Sequence, residues 1–154
     1  MTEAPDQIDQ HAPVIARQDI LVNAPLERLW DIHTAVRGWR AWQSDITTLQ
    51  SSAERLAAGV TFDWSTSGID IHTTVYRVNE ASHETLWGGP AQGITAIHRW
   101  RFTPEVGGTR VRTEESWDGE AIRQDVPSMQ RALDASLVAW LERLKARAES
   151  AAPT

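Results

Sequence analysis

A histidine and a glutamate on two neighbouring predicted strands are the residues of this sequence best suited to chemistry. In ITAIHRWRF (94–102) the alternation places His98 on the face that also carries Trp and Phe. In TRVRTEESW (109–117) it places Glu115 on the face with Val and Trp. The Gly-rich turn between them predicts a hairpin in which His98 lies directly opposite Glu115, or diagonal to it if the register slips by two residues.

An imidazole beside a carboxylate in an apolar interior can transfer protons near neutral pH. An isolated buried carboxylate is costly, but a neighbouring imidazole is expected to keep it ionised and to become more basic itself. His98 would then act as general base or acid, and Glu115 would orient it and balance its charge. Two other interpretations stay open: the pair fixes the register of the hairpin, or it orients a ligand without catalysis.

The elements that must position this pair follow from hydrophobic periodicity. Residues 14–22 are predicted as a first strand, and NAPLERLWDIH and VRGWRAWQ as two short helices. Strands are predicted at 45–50, 60–66, 69–78 and 84–90, the last of them stopped by Gly88, Gly89 and Pro90, before the hairpin described above. From Ile122 an apolar stripe at spacings of three and four predicts one long helix.

Composition narrows the class of protein. The 154 residues suit one domain, predicted at 14–147, with flexible tails at 1–13 and 148–154. A net charge of −6 argues against nucleic acid as a partner, and no apolar run is long enough to span a membrane. The absence of cysteine fits a cytoplasmic location and excludes thiolate chemistry.

The remaining histidines are not predicted to form a site. His33 falls on the apolar face of the first helix and is expected in the core, His72 is expected to face solvent, and His83 lies in a turn. No His or carboxylate spacing matches a metal site, and the glycines lack the context of a phosphate loop. We therefore predict neither a metal nor a cofactor.

The ordered set of elements resembles a known superfamily. NAPLERLWDI after the first strand, and GGTRVRTEESWDG before a long helix, are similar to the opening and closing segments of the START and polyketide cyclase/dehydratase (SRPBCC) superfamily. The resemblance implies an α+β helix-grip fold, in which a curved antiparallel seven-stranded sheet wraps around a long C-terminal helix, as in the birch-pollen allergen. It also implies a cavity between sheet and helix that holds a small hydrophobic molecule.

Tryptophan is the residue type expected to line that cavity. The sequence has 8 Trp against 2 Phe and 1 Tyr, which indicates a roomy, partly polar interior, although these rings could simply fill the core. In the superfamily, the segment containing Trp39 and Trp42 borders the cavity mouth. The candidate ligand-binding residues are Trp39, Trp42, Trp64, Trp87, Trp100, Trp117, Met129, Leu133 and Trp140.

The resemblance leaves the function open. The leading hypothesis is a protein that binds an aromatic or polyketide-like molecule and catalyses its cyclisation or dehydration, as a lyase would. The alternatives are a carrier or sensor without chemistry, and a stress protein that binds partners through a groove. The predicted oligomeric state is a monomer or a homodimer.

Overall fold

One strand, two short helices, six further strands, a third short helix and a long helix follow one another along residues 5–150, which are the residues that this computed structural model describes. The elements are β1 (Val14–Val22), α1 (Leu26–Thr34), a 3₁₀ helix (Val36–Ala41), β2 (Ile46–Ser51), β3 (Thr61–Thr66), β4 (Ile69–Asn79), β5 (Glu84–Ala91), β6 (Ile94–Glu105), β7 (Gly108–Asp118), α2 (Glu120–Arg123) and α3 (Val126–Ser150). The strands form one antiparallel sheet in the order β1-β7-β6-β5-β4-β3-β2. This confirms the predicted helix-grip fold.

The hairpin β6–β7 has the predicted direct register. Phe102 pairs with Val111, Trp100 with Thr113, and His98 with Glu115. The side chains of this face point towards α3 and are largely buried, because successive side chains of a strand alternate between the two faces of the sheet.

The C-terminal helix begins later than predicted. Ile122 belongs to the short helix α2, and α3 starts at Val126. The Asp125 carboxylate accepts a hydrogen bond from the Ser128 N–H (3.1 Å), and Pro127 suits a first helical turn that needs no donor. These residues begin a new helix instead of continuing the previous one.

Strand β5 runs through the glycines that were predicted to stop it. It continues to Ala91, with Gly88 and Gly89 in its interior. A Cβ atom on Gly88 would lie 2.3 Å from the Ala96 carbonyl oxygen, and one on Gly89 would lie 2.2 Å from that of His72. Glycine occurs here because the neighbouring backbones approach too closely for any side chain.

The ordered domain extends beyond the predicted limits of 14–147. Ile8 is 1% exposed, and the N–H of Asp9 donates to the Ser116 hydroxyl (2.9 Å), so this part of the predicted N-terminal tail contacts the sheet. At the other end α3 continues to Ser150, with Ala148 buried. The outer parts of both predicted tails, 1–4 and 151–154, lie outside the described residues.

Two apolar clusters hold the sheet to the helices. The larger joins α1 and the 3₁₀ helix to the sheet and to the C-terminal half of α3, through Leu29, Trp39 and Leu144 among others. The smaller joins β1 and α2 to the first half of α3, through Val14 and Leu137. Within the described residues, no helix combines the length and apolar character that crossing a membrane requires.

Candidate functional site

A cavity of about 530 Å³ lies between the concave face of the sheet and α3. Strands β3 to β7 form one wall, and α2 and α3 form the other. The lining includes Trp64, Ile71, Trp87, Ile94, His98, Glu115, Trp117, Met129 and Trp140. A depression of similar volume near Asp63 and His72 lies outside the sheet and is walled mainly by polar side chains, so the internal cavity is the better candidate for an apolar ligand.

Small side chains account for the space. The turns of α3 that face the cavity carry Ala132, Ala135, Ser136 and Ala139, and the opposite wall of β5 carries the glycine pair. Large side chains at these positions would fill the volume, as Leu133 and Leu137 do where they pack in the smaller cluster. The sequence-based prediction did not include this face of the helix. Its small residues also recur at intervals of three and four, beside the stripe of larger apolar residues.

The predicted pair lies on the cavity wall. The Nδ1 atom of His98 lies 3.3 Å from Oε1 of Glu115, and the two side chains are 5% and 13% exposed. The other carboxyl oxygen, Oε2, accepts a hydrogen bond from the indole N–H of Trp117 (2.8 Å). The rings of Trp87 and Trp100 flank the imidazole at centroid distances of 5.1 and 5.3 Å.

A threonine on β7 contacts the second imidazole nitrogen of His98. The Thr113 hydroxyl donates to the carbonyl oxygen of Arg99 (3.0 Å) and lies 2.7 Å from Nε2 of His98. When the hydroxyl proton goes to the Arg99 carbonyl, Thr113 accepts from Nε2–H. In the neutral ring Nδ1 is then an acceptor, directed at Glu115.

Burial reverses the expected protonation of the pair. Burial raises the pKa of Glu115 to about 7. The hydrogen bond from Trp117 lowers this pKa, but by less than burial raises it. Burial also lowers the pKa of His98 to about 3. The expectation of an ionised carboxylate beside a more basic imidazole is therefore wrong, because desolvation outweighs the attraction between the two groups. Near pH 7 the proton that can move belongs to Glu115, which can donate it to Nδ1.

The structure brings together some of the predicted ligand-binding residues. Those that line the cavity are Trp64, Trp87, Trp117, Met129 and Trp140. Trp42 is half-buried against Trp140 (5.7 Å between ring centroids), outside the lining. Leu133 is fully buried in the smaller cluster.

Trp39 and Trp100 differ more from their predicted roles. Trp39 is fully buried instead of lying at an entrance, and its indole N–H donates to the His33 carbonyl oxygen (2.9 Å). Trp100 is also fully buried and does not line the cavity. Its Nε1 is the one buried side-chain nitrogen or oxygen of the described residues that has no hydrogen-bond partner. Both rings pack against residues that line the cavity: Trp39 against Trp87, and Trp100 against His98.

The other histidines lie where the sequence predicts. His33 is buried and hydrogen-bonds through Nε2 to the Thr85 hydroxyl (2.8 Å), and burial lowers its pKa well below the usual value. His72 is exposed beside Asp63. Among residues 5–150, no group of three or more His, Asp or Glu side chains is arranged to hold a metal ion.

Comparison with known proteins agrees with this architecture. Residues 13–149 match the sequence model of the family described as "Polyketide cyclase / dehydrase and lipid transport". No curated protein matches the sequence.

Solved structures with the same fold are distant in sequence. They include a hypothetical protein, jhp0584, from Helicobacter pylori (TM-score 0.77, 16% identity, 97% of this chain and 100% of that one). A START superfamily protein from Mycobacterium smegmatis gives a TM-score of 0.76 at 14% identity, covering 88% of this chain and 97% of that one. Norcoclaurine synthase from Thalictrum flavum, solved with dopamine and hydroxybenzaldehyde, gives 0.71 at 8% identity, covering 100% and 99%. At these identities the likeness concerns the fold alone.

Proposed function

The chain belongs to the polyketide cyclase/dehydrase and lipid transport family, and from this premise we propose that it binds a small, largely apolar molecule of aromatic or polyketide-like character in the cavity under α3. The observation that carries the proposal is the cavity itself: about 530 Å³ of space, walled by indole rings, with one ionisable pair among them. Sites for small molecules usually combine such an apolar lining with a few fixed polar groups.

The size and shape of the walls favour a flat ligand. The cavity volume lies within the usual range for pockets that bind small molecules, and it is large enough for two or three fused rings. Trp87 and Trp140 provide rigid faces on opposite walls, on β5 and α3. Glu115 and His98 can hydrogen-bond a hydroxyl, carbonyl or amino group on that ligand.

Direct binding tests the proposal. Intrinsic Trp fluorescence and calorimetry with 2-naphthol, a neutral bicyclic probe, should show saturable binding to a single site. Ala135→Phe should weaken that binding about tenfold or more, because the new ring occupies the cavity. Val138→Phe, on the outer side of the same helix, is the matched control and should leave binding unchanged. Equal affinities in Ala135→Phe and the wild type would refute binding in this cavity.

A second candidate function is acid–base catalysis of cyclisation or dehydration on the bound molecule. The Glu115–His98 pair favours it, because an acid with a pKa near the working pH is the best proton donor and acceptor. Glu115 would exchange a proton with the ligand, and His98 would orient it through Nδ1. An enzyme should lose far more turnover than substrate binding in Glu115→Gln, whereas a carrier or sensor shows no turnover in either form.

A further inference from the structure

We propose that the ligand of this cavity is a cationic amine on an aromatic body, with its ammonium group held by Glu115 and His98. The inference rests on the proposed binding function and specifies the chemical class of the ligand. It follows from the charges, the hydrogen-bonding directions and the ring surfaces of the lining.

The lining carries negative charge without a matching positive charge. Its ionisable members are Asp45, His98 and Glu115, and no Lys or Arg of the described chain lines the cavity. Asp45 is already neutralised, because Arg143 Nη1 lies 2.5 Å from its Oδ2 atom. Glu115 has no such partner, so its charge is left to be balanced by a ligand.

Among the described residues, the elements around Glu115 place no Lys or Arg beside it in the lining. On β6 its cross-strand partner is the neutral His98, and on β1 it is Ala16. Trp87 and Gly88 on β5, and Met129 and Ala132 on α3, contribute apolar groups to the same lining. His33 lies beyond the lining, and burial, with a smaller contribution from His98, lowers its pKa and keeps it neutral.

The hydrogen-bonding groups on the cavity wall also favour a ligand that donates hydrogen bonds. Because Thr113 accepts from Nε2–H, the Nδ1 atom of His98 presents a lone pair, 3.3 Å from a carboxyl oxygen of Glu115. In this tautomer, Nδ1 and an ionised Glu115 are two neighbouring acceptors on the cavity wall. An ammonium group has three donors and can satisfy both. A carboxylate or phosphate ligand would instead add repulsion.

The indole rings complete the site for a cation. Trp87 lies against His98 (5.1 Å between ring centroids), and Trp140 lies 6.5 Å from the same ring. The faces of indole rings attract organic cations, most strongly where water is excluded. The apolar body of the ligand would then extend along the alanine face of α3.

Three probes with one ring system test the charge selectivity. We would measure the affinities of 2-(2-naphthyl)ethylamine, 2-(2-naphthyl)ethanol and 2-naphthylacetate at pH 8 by calorimetry. The amine should bind about tenfold more tightly than the alcohol, and the acid most weakly. Glu115→Gln should remove the preference for the amine, whereas Glu114→Gln, which changes the charge equally on the outer face of β7, should retain it.

The pH dependence of the unmodified protein gives a second, independent measurement. Binding of the ammonium group requires ionised Glu115, so acidification from pH 8 to pH 6 should weaken the amine about tenfold and leave the alcohol unchanged.

The outcomes separate the two proposals. If the alcohol binds as tightly as the amine, or if the amine has no pH dependence, the cavity binds ligands but the amine inference is wrong. If the acid binds best, the inference is also wrong. If none of the three probes binds, the proposed function itself fails.

Discussion

At the scale of residues, the position of one proton defines the site. The Thr113 hydroxyl lies 2.7 Å from Nε2 of His98, and in the tautomer that donates Nε2–H to this hydroxyl the opposite nitrogen is an acceptor. Glu115, whose pKa burial raises to about 7, then carries the proton that can be transferred or replaced by a cation. The two pKa shifts are thus opposite to those that the sequence predicts for the pair.

This arrangement predicts a pH-dependent cost of burying Glu115. Its pKa rises from an ordinary value of 4.5 to about 7 on folding, so the folded state binds more protons than the unfolded state between those pH values. The free energy of unfolding contributed by Glu115 is therefore present below pH 4.5 and is lost as the pH rises to 7. Relative to Glu115→Gln, the wild type should lose up to about 3 kcal/mol over this window, as measured by urea unfolding.

Comparing the wild type with Glu115→Gln separates the effect of Glu115 on stability from that of the neighbouring His98. The lowered pKa of His98 has the opposite effect on stability, increasing it as the pH rises from 3 to 6.5, and this contribution is common to both proteins. Glu114→Gln provides the control for a change of one charge on the same strand. A constant difference between wild type and Glu115→Gln across pH 4.5 to 7 would contradict the raised pKa.

At the scale of elements, β5 and α3 create the cavity because both carry small residues on the walls that face it. Gly88 and Gly89 allow the backbones of β4 and β6 to approach β5, and the alanines of α3 leave space on the opposite side. The same glycines would normally be taken as the end of a strand. Their role depends on neighbours that are distant in sequence.

Gly89→Ala should therefore destabilise the sheet. Gly89 has a φ of +150°, and its new Cβ would lie 2.2 Å from the His72 carbonyl oxygen, so β4 and β5 must separate. We expect a loss of about 2 kcal/mol in the free energy of unfolding, measured by urea titration. Gly38→Ala, where nothing lies within 4 Å of the added atom, should change stability far less. Similar values for the two variants would contradict the close approach of the strands.

At the scale of the whole molecule, the segment before β1 contributes to stability. The segment places Ile8 in a buried position and hydrogen-bonds to β7 through Asp9 and Ser116. At the other end, the Glu149 carboxylate accepts from the Asn23 N–H (2.7 Å), which joins the end of α3 to the loop after β1. Both ends of the described chain are thus held against the sheet.

Ile8→Ala tests the contribution of the N-terminal segment. Removing a side chain that is 1% exposed should lower the free energy of unfolding by about 2 to 4 kcal/mol, although the residue precedes the region that matches the family. Thermal and urea unfolding measure the change, with the exposed His11→Ala as control. A loss no larger than that of the control would show that the segment is dispensable.

The sequence by itself determined the order of the strands and the main helices, the phase of β6 and β7, and that His98 and Glu115 are neighbours across the hairpin. These follow from local rules: alternation decides the face of each side chain, and a short turn determines which residues of a hairpin lie opposite each other. The burial of His33 and the exposure of His72 follow from the same periodicities.

Only the tertiary structure decided which rings line the cavity, why β5 carries glycine, and where the proton of the pair lies. Trp100 has the strand phase of a lining residue and Trp39 was expected at the cavity mouth, yet both are fully buried outside the lining, because their depth depends on elements distant in sequence. The proton of the Glu115–His98 pair likewise depends on desolvation by the surrounding structure and on the hydroxyl of Thr113. Alternation along a strand predicts neither the depth of a ring nor the position of this proton, since both are set when separate parts of the chain pack together.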